Sequence, residues 1–129
     1  MNEKILITGG AGFIGTNLVV RLEQSDYDVW IYDNLSRGLE EFVSNPEKLI
    51  AGDILDSDTL QDAMKNMDHV IHLAAYGSVV ESVIDPETNF DINVIGTKNV
   101  LECARKADIH RVIFASTGGA LIGEATPPV

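Results

Sequence analysis

The chain has 129 residues, a formal net charge of −11 and a hydrophobic fraction of 45%. This length fits one domain with a buried core, and the composition excludes a disordered chain. The net negative charge argues against a nucleic-acid partner. The sequence has no long apolar run and no signal-peptide layout, which argues against a membrane partner and favours the cytoplasm.

Short apolar runs alternate along the chain with helical patterns. We predict strands at 4–8, 28–33, 48–53, 69–75 and 111–116. We predict helices at 13–24, 57–67 and 86–106, the last opened by Asp85 as N-cap and Pro86 at the first helical position. For residues 34–47 we predict either a loop or a short helix, and we predict a loop before Pro86. Because parallel strands need crossover connections, this alternation indicates an α/β fold with a parallel sheet.

The strongest local signal is ITGGAGFIG, residues 7–15, which joins the first strand to the first helix. Glycines at such a turn let the backbone bend tightly, approach a pyrophosphate and pack a helix closely on a strand. Asp33, at the end of the second strand, is placed to accept hydrogen bonds from an adenosine ribose and favours NAD over NADP, although Arg37 lies close enough to weaken that preference. The alternative is a simple turn followed by an exposed loop acid.

Other polar residues carry weaker signals. Asp53 follows the third strand, where an adenine edge could pass, but a capping or loop role is the alternative. His69 and His72 are interpreted as packing or surface histidines. The single Cys103 excludes an internal disulfide and a cysteine-based zinc site, and we predict a buried thiol and no metal site.

Six segments together resemble one family, the extended short-chain dehydrogenase/reductases, and in particular its nucleotide-sugar epimerases of the UDP-glucose 4-epimerase type. They are TGGAGFIGTNL (8–18), DNLSRG (33–38), GDILD (52–56), HLAA (72–75), the run from Glu81 to Ala107, and RVIFASTGGALIGE (111–124). The resemblance implies a Rossmann-like, doubly wound parallel sheet in the order 3-2-1-4-5, truncated before the later strands. Residues 1–129 would then form one partial NAD-binding domain, without the substrate domain.

The resemblance also implies roles for individual residues. Those that would bind NAD are Gly9, Gly12, Phe13, Ile14 and Gly15 at the pyrophosphate, Asp33, Asn34, Ser36 and Gly38 near the ribose and phosphates, Asp53 and Ile54 at the adenine, and Leu73, Ala74, Ala75, Tyr76 and Asn93 toward the reactive end. Ser116 and Thr117 match a catalytic hydroxyl pair, and Thr117 is the better candidate for a hydrogen bond to the substrate. The alternative is that these two hydroxyls cap a turn.

In such enzymes a tyrosine four residues before a lysine is the general base, and the printed sequence contains no such pair. We therefore expect the chain alone to be inactive. We expect it to bind a nucleotide sugar only if the part with the tyrosine–lysine pair and the substrate domain is supplied. A stand-alone NAD-binding module, half of a two-chain assembly, and a nucleotide-sugar dehydratase are the alternatives. The sequence departs from the family pattern at Gly77 and Ile122. We also expect a homo-oligomer, formed through an exposed sheet edge or the helix at 86–106.

Overall fold

A computed structural model describes residues 2–117, and the expectations for Ile122 and the rest of 118–129 lie outside this range. Five parallel strands form one sheet in the order β3-β2-β1-β4-β5. The strands are β1 (Lys4–Thr8), β2 (Asp28–Asp33), β3 (Leu49–Ala51), β4 (His69–His72) and β5 (Arg111–Phe114). The predicted fold class and strand order are confirmed.

The first two strands have the predicted bounds, whereas β3, β4 and β5 end before their predicted limits. Beyond each of these three strands, one more backbone N–H reaches a neighbouring strand: Gly52 donates to Asp33, Leu73 to Thr8, and Ala115 to His72. The chain then leaves the sheet. The residues predicted as strand ends therefore form loops at the carboxyl edge of the sheet, where open α/β folds place their sites.

The helices are α1 (Phe13–Glu23), α2 (Ser57–Ala63), α3 (Val79–Ile84), α4 (Pro86–Phe90) and α5 (Thr97–Lys106), with short 3₁₀ turns at Glu40–Phe42 and Pro46–Lys48. The predicted helix at 57–67 is too long, because Asn66 adopts a left-handed φ of 62° just after it. The predicted loop before Pro86 is wrong in part. Residues 79–84 form α3, where Ser78 accepts a hydrogen bond from the Glu81 amide at 3.2 Å.

The helical run over residues 86–106 exists as predicted but is not regular. Asp85 caps its start by accepting a hydrogen bond from the Thr88 amide at 3.0 Å. Between α4 and α5, residues Asp91–Gly96 form a π-helical segment. Such segments widen a helix locally and often occur at functional sites.

Two hydrophobic clusters cover the two faces of the sheet. Along β1, Ile5 and Ile7 point into one cluster, which contains Val19 of α1, whereas Leu6 points into the other, which contains Leu60 of α2 and Val100 of α5. This alternation is the period of two expected of a strand buried on both faces. Cys103 belongs to the second cluster and is 2% exposed, so the predicted buried thiol is confirmed. Within residues 2–117, no helix has both the length and the apolar character needed to cross a membrane.

The glycine turn packs backbone against backbone. A Cβ atom at Gly15 would lie 2.5 Å from the Gly10 Cα and 2.6 Å from the Gly9 carbonyl oxygen. Gly9 has a φ of 72°, and a Cβ there would lie 2.6 Å from the Ala74 amide nitrogen. The start of α1 can therefore pack on the turn after β1, and that turn on the loop after β4, only because these positions lack side chains.

We predict that Gly15→Ala destabilises the chain by about 3 kcal/mol, because the added methyl group meets backbone atoms that cannot move independently. The measurement is urea unfolding followed by circular dichroism. Gly77→Ala is the matched control, since nothing lies within 4 Å of a Cβ at that position, and it should change the free energy of unfolding by less than about 0.5 kcal/mol. Equal effects of the two substitutions would contradict this packing argument.

Candidate functional site

The loops that follow the first four strands line a cleft of about 150 Å³. Its lining comprises Gly9, Gly12, Tyr32, Asp33, Asn34, Ser36, Arg37, Gly38, Gly52, Asp53, Ile54, Leu73, Ala74, Ala75 and Ile92. Parallel strands bring their carboxyl ends to one edge, which is why residues distant in sequence meet here. We call this space the first cleft.

The amino terminus of α1 opens at the first cleft. Gly12, the residue before the helix, lines the cleft and supplies no side chain to cap the first-turn N–H groups, and no acidic side chain lies in that turn. The unpaired N–H groups and the positive end of the helix dipole favour an anion at this position. The cleft can therefore bind an anionic group by backbone atoms in a chain of net charge −11.

Asp33 is held rigidly at the wall of the first cleft and is only 8% exposed. Its Oδ2 accepts a hydrogen bond from the Ala11 amide at 3.0 Å, and its Oδ1 accepts one from the Leu35 amide at 2.8 Å. Each carboxylate oxygen can accept more than one hydrogen bond. Asp33 can thus still accept from a pair of hydroxyls presented in the cleft.

Asp53 faces the first cleft beside Asn34 and Tyr32. The Asp53 Oδ2 accepts a hydrogen bond from the Asn34 side-chain amide at 3.0 Å, and its Oδ1 accepts one from the Leu55 amide at 2.9 Å. The Tyr32 hydroxyl donates to the Asp53 carbonyl at 2.8 Å, and burial raises the pKa of Tyr32 to about 12. Tyr32 therefore stays protonated and fixes the backbone between β3 and α2.

The sequence did not predict Tyr32, Gly52 or Ile92 as lining residues. Tyr32 reads only as a strand residue, and its neighbour Gly52 is needed because a Cβ there would lie 2.5 Å from the Tyr32 hydroxyl oxygen. Ile92 enters the cleft from the π-helical segment. No local pattern in one sequence marks these residues, since their position depends on contacts between separate loops.

A second cleft, of about 420 Å³, adjoins the first and shares Ala74 and Ala75 with it. Its lining includes Tyr76, Asn93, Thr97, Phe114, Ser116 and Thr117. The structure therefore brings Tyr76, Asn93, Ser116 and Thr117 together, but around the second cleft rather than the first.

Asn93 uses its side-chain amide to hold the loop after β4. Its Oδ1 accepts a hydrogen bond from the Tyr76 amide at 2.8 Å, and its Nδ2 donates to the Tyr76 carbonyl at 3.2 Å. The Tyr76 ring lies under the Arg37 guanidinium, 5.5 Å from its carbon, and Arg37 also pairs with Glu81 of α3. These contacts connect the loop after β2 with the loop after β4.

Of the five residues of the glycine turn that we predicted to bind NAD, three do not line the first cleft. Phe13 is 88% exposed and borders an apolar groove, Ile14 is 66% exposed, and Gly15 is buried against the turn. Any contact of Phe13 and Ile14 with a group in the first cleft would involve their backbone N–H groups, since their side chains are exposed.

His72 is buried, as expected for a packing histidine, with its Nδ1 2.6 Å from the Thr8 hydroxyl oxygen and its Nε2 3.0 Å from the Thr97 hydroxyl oxygen. Burial lowers the pKa of His72 to about 4. The imidazole is therefore neutral near pH 7.

The chain is similar to several proteins that are named UDP-glucose 4-epimerase. The chain is 38% identical over 127 residues to the UDP-glucose 4-epimerase of Streptomyces lividans, covering 96% of this chain and 38% of that protein. It is 42% identical over 118 residues to the UDP-glucose 4-epimerase of Rhizobium meliloti, covering 90% of this chain and 36% of that protein. The crystal structure of UDP-glucose 4-epimerase from Thermus thermophilus in complex with NAD superposes with a TM-score of 0.91 at 38% identity, covering 96% of this chain and 40% of that one.

The chain thus spans about 40% of the length of the relatives it matches, and it matches their amino-terminal part. Residues 5–128 also match the model of one protein family. On this match, the chain belongs to the NAD dependent epimerase/dehydratase family.

Proposed function

We propose that this chain is the NAD-binding, amino-terminal part of a nucleotide-sugar epimerase similar to UDP-glucose 4-epimerase. The observation that carries the proposal is the meeting of two features in one cleft. The uncapped start of α1 favours an anion, and Asp33 offers carboxylate oxygens to hydroxyls. A dinucleotide presents both a pyrophosphate and ribose hydroxyls, so the cleft fits its two kinds of polar group.

The proposed contacts use the lining of the first cleft together with the start of α1 beside it. The pyrophosphate would be held by Gly9, Gly12 and the backbone of Phe13 to Gly15. The adenosine ribose would be held by Asp33, with Asn34, Ser36 and Gly38 nearby. The adenine would lie against Asp53 and Ile54. The nicotinamide would lie toward Leu73, Ala74 and Ala75, beside the second cleft. Bound there, NAD would supply a hydride acceptor for a sugar carbon.

Asp33 also supports NAD rather than NADP as the cofactor. A 2′-phosphate would stand next to a carboxylate that is nearly buried, where like charges repel strongly. Arg37, the cation of this loop, is engaged with Glu81 and the Tyr76 ring. Its guanidinium is therefore directed to α3 in this structure.

We predict that Asp33→Asn weakens NAD binding about tenfold or more, because hydrogen bonds between the carboxylate and the ribose hydroxyls are lost. The same change should narrow the preference for NAD over NADP, since a repulsive charge is removed. The measurement is calorimetric titration of the 129-residue chain with each nucleotide.

Asp62→Asn is the control for the loss of one negative charge, because Asp62 is exposed on α2 and outside the first cleft. It should leave both affinities unchanged. Thermal unfolding of each variant shows whether the fold is retained. Unchanged NAD affinity in a folded Asp33→Asn variant would remove Asp33 from the proposed site.

For the sugar, we propose the second cleft, with Thr117 and Ser116 as hydroxyls that contact the substrate. They line this cleft together with Ala74 and Ala75, which line both clefts, and a sugar bound there would have a carbon beside the nicotinamide. Tyr76 and Asn93 would complete the wall between them. The relatives are named epimerases, which favours epimerisation over dehydration as the reaction of the whole enzyme.

We predict that this chain alone does not interconvert UDP-glucose and its 4-epimer, because none of its tyrosines has a lysine at the fourth following position. Tyr27, Tyr32 and Tyr76 are followed there by Ile31, Ser36 and Val80. The measurement is chromatography of the nucleotide sugars after prolonged incubation with saturating NAD. Turnover above a sample lacking the protein would show that another group acts as the base.

We also predict that the chain self-associates at tens of micromolar concentration, as measured by light scattering. Val79, Val80, Val83 and Ile84 of α3 are each at least 70% exposed, and adjoining exposed apolar side chains tend to be covered by a partner. Val83→Lys should shift the chain toward the monomer. Gln24→Lys, on an exposed position at the end of α1, adds the same positive charge away from α3 and is the control for the charge change. A wild-type monomer at these concentrations would contradict the prediction.

A further inference from the structure

A line of polar groups crosses the protein between β1, β4 and the helical run 86–106. The Ala74 amide nitrogen lies 3.4 Å from the Thr8 hydroxyl oxygen, which lies 2.6 Å from the His72 Nδ1. On the other side of the ring, the His72 Nε2 lies 3.0 Å from the Thr97 hydroxyl oxygen, which lies 2.8 Å from the Asn93 carbonyl oxygen. Thr8 and His72 are 0% and 2% exposed.

The two ends of this line determine which group donates and which accepts in each of its hydrogen bonds. The Asn93 carbonyl can only accept, so the single proton of the Thr97 hydroxyl is donated to it. The Thr97 oxygen must then accept from His72, which places a proton on Nε2. A neutral imidazole with a proton on Nε2 has a bare Nδ1, and this atom accepts from the Thr8 hydroxyl. The Thr8 oxygen remains free to accept from the Ala74 amide.

The other neutral tautomer satisfies fewer of these contacts. A proton on Nδ1 would be donated to Thr8, leaving the Thr8 proton without a partner among the contacts described. The bare Nε2 would then draw the Thr97 proton away from the Asn93 carbonyl. A doubly protonated ring would also leave the Thr8 proton unpaired, and burial opposes that charged form by lowering the pKa of His72 to about 4.

Both ends of the line hold the same loop. One end begins at the Ala74 amide, and the other ends at the carbonyl of Asn93, the residue whose side chain bonds both the N–H and the C=O of Tyr76. The backbone from Ala74 to Tyr76 is therefore attached to β1 through Thr8 and to the π-helical segment through Asn93. This loop includes the two alanines shared by the first and second clefts.

We infer that His72 is a positioning residue of the cofactor site: with its proton on Nε2, it completes a single directional chain of hydrogen bonds that fixes the wall between the two clefts. His72 does not line either cleft, so it acts through Thr8 and Thr97. The effect on NAD affinity rests on the proposed function, whereas the tautomer and the loop position do not.

The tautomer is tested by ¹⁵N magnetic resonance of the His72 ring in the wild-type chain. The expected spectrum shows a protonated Nε2 and a bare Nδ1, unchanged between about pH 5 and 8, where an unconstrained histidine titrates. A proton on Nδ1, or titration of the ring within this range, would overturn the inference. This measurement needs neither a variant nor a bound nucleotide.

The positioning role is tested by comparing Thr97→Val with Thr97→Ser. Valine keeps the shape of threonine but breaks the chain at Thr97, and serine keeps the hydroxyl. In the valine variant, we expect hydrogen exchange of the Ala74 and Tyr76 amides to be about tenfold faster than in the serine variant, because each step of the chain loses its partner. NAD binding should weaken about fivefold in the valine variant and recover with serine.

Exchange of the Leu6 amide, in the middle of β1, separates positioning from general destabilisation. If Thr97 only supported the fold, exchange at Leu6 would accelerate by the same factor as at Tyr76, and that result would overturn the inference, as would equal exchange of the loop amides in the two variants. A wild-type chain that fails to bind NAD would overturn the proposed function instead, since the spectrum and the exchange rates would still decide the role of His72.

Discussion

The close contact of backbone with backbone at the glycine turn is the constraint on which this structure depends. Gly15 lies against Gly9 and Gly10, and Gly9 lies against Ala74 with a φ that few other residues adopt readily. These contacts place the start of α1 directly at the carboxyl edge of the sheet, against the turn that follows β1. The unpaired N–H groups of the helix thereby open into the same space as the loops after the other strands.

This arrangement explains how an acidic chain provides a site suited to an anion. The formal charge of −11 comes from side chains, whereas the polarity of the first cleft at α1 comes from peptide groups and the helix dipole. Asp33 is the buried acid of the two that line the cleft, and both of its oxygens already accept backbone N–H groups. Backbone N–H groups therefore provide the positive potential at the start of α1, and other backbone N–H groups orient the Asp33 carboxylate.

The irregular middle of the helical run connects the two clefts. The π-helical segment brings Ile92 to the first cleft and Asn93 to the second. Gly96, at the end of the segment, lies so close to Ile54 that a Cβ would overlap that side chain. A regular helix would place these residues at other angles around the axis, since a π-helical turn contains more residues than an α-helical one. The local widening thus places one helix in contact with both walls.

The sequence by itself determined the order of the predicted strands and the glycine turn, because these depend on local periodicity and on residue types with specific backbone preferences. It also placed Asp33 at the end of β2 and Asp85 at the start of α4, where short-range hydrogen bonds decide the structure. It extended β3, β4 and β5 too far, since the point at which the chain leaves the sheet is decided by hydrogen bonds between strands and not by residue type.

Only the tertiary structure decided which loops meet. It placed Tyr32 and Gly52 together at the first cleft, divided the expected site between two adjoining clefts, and formed α3 where a loop was expected. It also joined Thr8, His72 and Thr97 in one chain of hydrogen bonds, although 64 residues separate the first two and 25 the last two. These features arise from contacts between segments distant in the chain, and no local pattern encodes the distance at which such segments pack.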